Sequence, residues 1–124
     1  MTKIIEIYSL IFSGDYNLIC CNNYNLIGEG NSVDSSKNGM ISIMTNYFHH
    51  FVKNNLPFPE PKQKLNGNIE EIVRYFSKEI AISDQGIAYV GQEIVKPETH
   101  WPSLLFIFYK VNTVHLISKP LNIN

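Results

Sequence analysis

The chain is 124 residues long, 44% hydrophobic and 17% charged, with a formal net charge of -1. That length suits one domain able to bury a core without staples, and the composition is not that of a disordered segment. A nucleic-acid binder needs a clustered basic excess, yet residues 1–60 hold three Lys against five acids (-2) and residues 61–124 six Lys and one Arg against six acids (+1).

Lys3 followed by Ile4, Ile5, Ile7, Leu10, Ile11 and Phe12 has the outline of an export signal, but Glu6 interrupts the run and Ser13-Gly14-Asp15 is no cleavage site. No apolar stretch reaches the ~20 residues that span a bilayer, so a cytoplasmic location is expected. Residues 4–12 instead read as a β-strand, with Ser13-Gly14-Asp15 as a turn and a second strand from Tyr16 to Cys21. A third short segment, Tyr24 to Ile27, lies between Asn22-Asn23 and Gly28-Glu29-Gly30-Asn31 and completes a β-meander. Gly28-Glu29-Gly30 is read as a plain turn. A phosphate loop would need a third glycine and a strand-to-helix context, and Glu29 would repel phosphate.

The period then changes. Met40, Ile43, Met44, Tyr47, Phe48, Phe51 and Val52 form one apolar stripe of a helix three to four turns long. Asp34, Ser35 and Ser36 offer N-caps, and Asn54-Asn55 with Pro57 ends it. Leu56 to Pro61 must be extended, because proline fixes its own φ and disfavours helix in the residue before it. This segment is read as a rigid spacer rather than a polyproline ligand. A second helix follows, with Asn68 as cap, Glu71 in capping-box position, a stripe of Ile69, Ile72, Val73, Phe76 and Ile80, and a Glu70–Arg74 pair outside.

Strands return after it. Ile87–Val90 and Glu93–Lys96 suggest a small hairpin around Gly91-Gln92. Leu104 to Val111 is apolar at nearly every position, as a strand covered on both faces would be, and Asn112-Thr113 turns it into a strand from Thr113 to Lys119. The expected fold is one α+β domain over residues 1–124. It has a single mainly antiparallel sheet, two amphipathic helices packed on one face, and the order β-β-(β)-α-α-β-β-β-β.

Candidate chemistry is sparse. Adjacent helical residues point about 100° apart, so His49 and His50 do not share a metal. Cys20 and Cys21 sit in a strand, where neighbours face opposite ways, and are read as reduced, partly buried thiols. With His100 or His115 one of them remains an alternative catalytic pair, since such sites assemble from distant positions. No metal or cofactor is expected. Pro97-Glu98-Thr99-His100-Trp101-Pro102 places the single Trp in a proline-bounded loop, where it serves either as a packing anchor or as an exposed contact.

Fourteen Asn, seventeen Ile and nine Lys against one Arg and two Ala give the profile of an AT-rich bacterial accessory gene. In size, bias, α+β make-up and lack of an active-site motif the chain resembles the small cytosolic immunity proteins encoded beside bacterial toxins, including those of contact-dependent inhibition. The resemblance implies a protein that is not an enzyme. It would bind a cognate toxin domain, a nuclease being favoured, with acids mimicking phosphates and aromatics as anchors. The contacts expected on that reading are Glu29, Asp34, Glu60 and Glu98, with Trp101 and Tyr24. A homodimeric scaffold or ligand-binding domain is a further alternative.

Overall fold

A computed structural model describes residues 3–12, 16–77, 87–96 and 104–113 of the chain. Five strands form one mixed sheet: β1 (Lys3–Ile11), β2 (Asn17–Cys21), β3 (Leu26–Gly30), β4 (Ile87–Val95) and β5 (Leu104–Thr113), in the order β3-β2-β1-β5-β4. Two helices lie between β3 and β4 in sequence, α1 (Val33–Lys53) and α2 (Ile69–Phe76). The α+β class is as expected.

The sheet is not purely antiparallel. β1–β2, β2–β3 and β4–β5 pair antiparallel, whereas the two central strands, β1 and β5, run parallel, Ile5 opposite Phe106 and Tyr8 opposite Tyr109. Antiparallel hairpins on either side leave these two strands to meet in the middle. Both are accordingly buried on both faces. Ile5 and Ile7 of β1 join Leu104, Phe106 and Phe108 of β5 on one side, and Tyr8 and Leu10 join Tyr109 and Val111 on the other.

The helices take opposite faces, not one. Met40, Met44 and Phe48 of α1 pack on the first side, while Ile72 and Phe76 of α2, with Leu65 before it, pack on the second. Two-sided burial of the central strands requires this, since an uncovered face would leave a row of aromatic and branched side chains in water.

α1 is 21 residues, about six turns, and longer than its apolar stripe. Ser32, not Asp34 or Ser35, caps it: its hydroxyl accepts from the Ser35 N–H at 3.3 Å. The helix ends at Asn54, as expected, with Asn55 at φ 53. α2 starts as predicted, the Glu71 N–H donating to Asn68 Oδ1 at 3.1 Å. Arg74 pairs with Glu71 one turn away rather than with Glu70.

Three other expectations change. Gly28, Glu29 and Gly30 belong to β3, which extends through the supposed turn because each has a partner on β2 (Ile19, Leu18 and Asn17). The expected hairpin around Gly91-Gln92 is a single bulged strand, β4, whose register slips between Tyr89 and Gly91. Asn112 and Thr113 remain in β5, paired to Ala88 and Ile87, where a turn was expected. The expected strand beyond Thr113, the helical position Ile80, and the 97–102 loop lie outside the described residues. Among the described residues no helix is long and apolar enough to cross a membrane.

The crossover between the helices is fixed by buried polar groups. Glu6, 4% exposed, accepts from the Leu65 N–H (2.9 Å), the Asn66 N–H (2.8 Å) and the Tyr8 hydroxyl (3.0 Å). The Tyr8 oxygen in turn accepts from the Gly67 N–H at 2.8 Å. Asn66 and Gly67 both hold positive φ (54 and 72), and a Cβ on Gly67 would stand 3.0 Å from the Tyr109 ring. Glycine is therefore required there. At the near end Asn22 and Asn23 both donate to the Gln63 carbonyl, and the Lys62 N–H donates to the Asn23 carbonyl.

Candidate functional site

β3 is an edge strand, and the register places Leu26, Gly28 and Gly30 on the α1 face of the sheet and Ile27 and Glu29 on the other. Gly30 is where helix and strand touch, since a Cβ there would overlap Ser36 Oγ. Further along, the two elements part. A Cβ on Gly28 would meet only Ile19 Cγ2, at 3.9 Å, and one on Gly39 of α1 would meet nothing within 4 Å. The space between them is a groove of about 510 Å³ floored by Ile19 and walled by β3 on one side and Ser35, Ser36, Gly39 and Ile43 on the other. It runs on, past Leu26 and Ile43, into a second hollow of about 350 Å³ bounded by Tyr24, Tyr47, Pro59, Glu60 and Lys62.

The apolar rim is exposed. Ile43 is 56% accessible, Tyr47 39% and Leu26 37%, and Ile27, on the other face of β3, is 41% accessible. Ile43 and Tyr47 were expected in the core of α1, but its fully buried residues are Met40, Met44 and Phe48, with Val33 and Ile41 packed beside them. The flank bearing Ile43 and Tyr47 overhangs the groove instead.

Four of the six residues expected to contact a partner are described, and three line this groove. Tyr24 and Glu60 bound the second hollow and Glu29 the first. Tyr24 is also structural: its hydroxyl donates to the Pro59 carbonyl at 3.2 Å, and its ring lies edge-on to Phe48 at 5.3 Å. Burial, with Cys21, Tyr47 and Glu60 nearby, pushes its phenol up to about 12. Glu29 accepts from the Tyr16 hydroxyl at 2.9 Å, and burial together with this bond raises Tyr16 to about 12. Asp34 is exposed in the first turn of α1, beside Ser35 but not lining the groove. Glu98 and Trp101 lie outside the described residues.

The residues that sequence reasoning missed are Leu26, Ile27, Gly28, Gly39, Ile43 and Tyr47. Gly39 was the available signal, because a glycine just before a helical stripe weakens the helix and needs a reason.

Other clusters offer less. Cys20 and Cys21 are free and buried on opposite sheet faces. Burial pushes Cys20 well above its ordinary value and Cys21 up to about 12, which disfavours the thiolate that nucleophilic chemistry needs. His100 and His115, the partners considered for them, lie outside the described residues. His49 and His50 are exposed. Among the described residues no three of His, Cys, Asp and Glu converge to hold a metal.

The chain matches no family model, and neither a curated protein nor a solved structure is found to be similar to it.

Proposed function

We propose that the chain is a protein-binding inhibitor of the immunity type, acting in the cytoplasm by docking on a cognate toxin domain through the groove between β3 and α1. The observation that carries the reading is the continuous exposed apolar surface of Leu26, Ile43 and Tyr47, fringed by Glu60 and hollowed by two glycines, with Glu29 exposed on the other face of the same edge strand. Apolar surface of this kind, rimmed by polar residues, is a common mark of a partner site. Aromatic anchors in a hollow with an acid at its edge, and a second acid on the edge strand, suit a partner whose own cleft is basic, and nuclease clefts are basic because they bind phosphates.

Co-expression with the product of the neighbouring gene tests this. The product alone should arrest growth, and this chain should restore it. Ile43→Asp places a charge on the exposed helix flank, where the fold has no use for the isoleucine, and should abolish rescue while leaving thermal unfolding near wild type. A neighbouring product that is harmless, or equally toxic in the presence of this chain, would sink the reading.

A further inference from the structure

The two edges of the sheet are not alike. β4 carries devices that discourage pairing with a further strand: its register slips at Val90, and Gln92, Glu93 and Lys96 stand exposed along or just beyond it. β3 has neither the slip nor a lysine. No proline, lysine or bulge interrupts Leu26–Gly30, and its one charged side chain, Glu29, is exposed on the face away from α1, where it accepts from the Tyr16 hydroxyl. Among the described residues no strand pairs with its outer edge.

Beside that edge, Gly28 and Gly39 are glycines without a local need. Neither has the positive φ that favours glycine, and a side chain at either would find room. Glycine weakens both a strand and a helix, so both elements carry a cost. What the two positions share is the hollow between them. Glu60 and Lys62 offset each other beside the hollow, whereas Glu29, next to Gly28 on the opposite face of β3, is an exposed acid on a strand that carries no cation.

Resting on the inhibitor reading above, we propose that the partner enters by strand addition. An extended segment pairs its backbone with the outer edge of β3, sets one apolar side chain into the hollow between Gly28 and Gly39 on the α1 face, and carries Lys or Arg on its opposite face toward Glu29. Main-chain pairing fixes the orientation; the hollow and Glu29 select the sequence. A second copy of the chain is a poorer occupant, because its β3 would bring another Glu29 and no cation to that edge.

The test uses nine-residue synthetic peptides alternating Val or Leu with Lys, a Glu-for-Lys counterpart, and the Lys peptide N-methylated along one edge so that it cannot extend a ladder. Binding is followed by amide chemical shifts and hydrogen exchange on the full chain. The Lys peptide should shift resonances of Leu26–Gly30 and of the Ser35–Ile43 flank, and slow β3 exchange at least about tenfold. The Glu peptide should bind about tenfold or more weakly, and the methylated peptide should not bind. Gly39→Leu, which fills the hollow from a helix position with space around it, should fold normally and lose binding. Equal binding of the methylated or the Glu peptide would overturn the proposal, as would β3 protection that appears without peptide and grows with protein concentration, which would mark a second copy. Rescue in cells by a chain that binds no peptide at β3 would overturn strand addition while leaving the inhibitor reading standing; loss of rescue with peptide binding intact would do the reverse.

Discussion

Replacing Glu6 by Gln keeps the shape of the side chain and changes one acceptor into a donor. In the native chain one carboxylate oxygen takes the Leu65 N–H, and the other takes the Asn66 N–H and the Tyr8 hydroxyl. A carboxylate offers only acceptors and suits three donors; an amide does not. If the new NH2 group faces Leu65, that buried N–H loses its partner. If it faces the other side, two donors are displaced. The cheaper choice leaves one buried donor unpaired, at about 1–3 kcal/mol, and also removes a charge-assisted bond. We expect a loss of roughly 2 kcal/mol, which for a domain of this size lowers Tm by about 6–10 °C. Thermal and denaturant unfolding measure the total, and hydrogen exchange at Leu65, Asn66 and Gly67 localises it. A Glu6→Gln chain within about 0.5 kcal/mol of wild type, with those amides still protected, would refute the view that Glu6 fastens the crossover.

Three further outcomes follow from the geometry. Gly39→Ala should stabilise the chain by up to about 1 kcal/mol in denaturant unfolding, because the position is helical, exposed and free of contacts. Cys20 and Cys21 should react with iodoacetamide at pH 8 only as fast as the chain unfolds; rapid labelling of either in the native state would contradict their burial and raised pKa values. The Lys37 ammonium lies 2.8 Å from Glu93 and holds that carboxyl below its ordinary value, by hydrogen bond first and by charge second. A lowered folded-state pKa gives stability that is present above the ordinary carboxylate value and lost as pH falls through the lowered one. The stability difference between wild type and Glu93→Gln should therefore be seen at neutral pH and vanish in acid.

Hydrophobic period showed where α1 and α2 lie and where both end or begin, since Asn54, Asn55 and Asn68 act as they were read. It did not reveal the first two turns of α1, because Asp34 to Gly39 are small or polar and make no stripe. Nor did it give the width of surface that α1 covers: Ile43 and Tyr47 keep the helical spacing but overhang the edge strand. The placement of both helices on one face conflicted with a signal in the same sequence, for the run from Leu104 to Val111 already implied cover on both faces of the sheet. Glu6 looked like an interruption in an apolar run. Its partners at Leu65 and Asn66 are some sixty positions away, a distance that no local pattern records.

The groove and the buried network are parts of one arrangement. Glu6, Asn22 and Asn23 hold residues 62–66 against the sheet, and the Tyr24 hydroxyl ties the preceding Pro59 to the same end. Prolines 57, 59 and 61 restrict the backbone that leads into these ties. Glu60 and Lys62, which bound the second hollow, are therefore set in place before any partner arrives. Fixing such a loop during binding would cost affinity, and a loop fixed in advance avoids that cost. Asn22 and Asn23 from outside and the three prolines within serve the same end, fastening or restricting a segment that has no ladder of its own. A lesion in the Glu6 network should thus weaken the partner binding proposed above as well as the fold, although Glu6 itself is too deeply buried to reach such a partner.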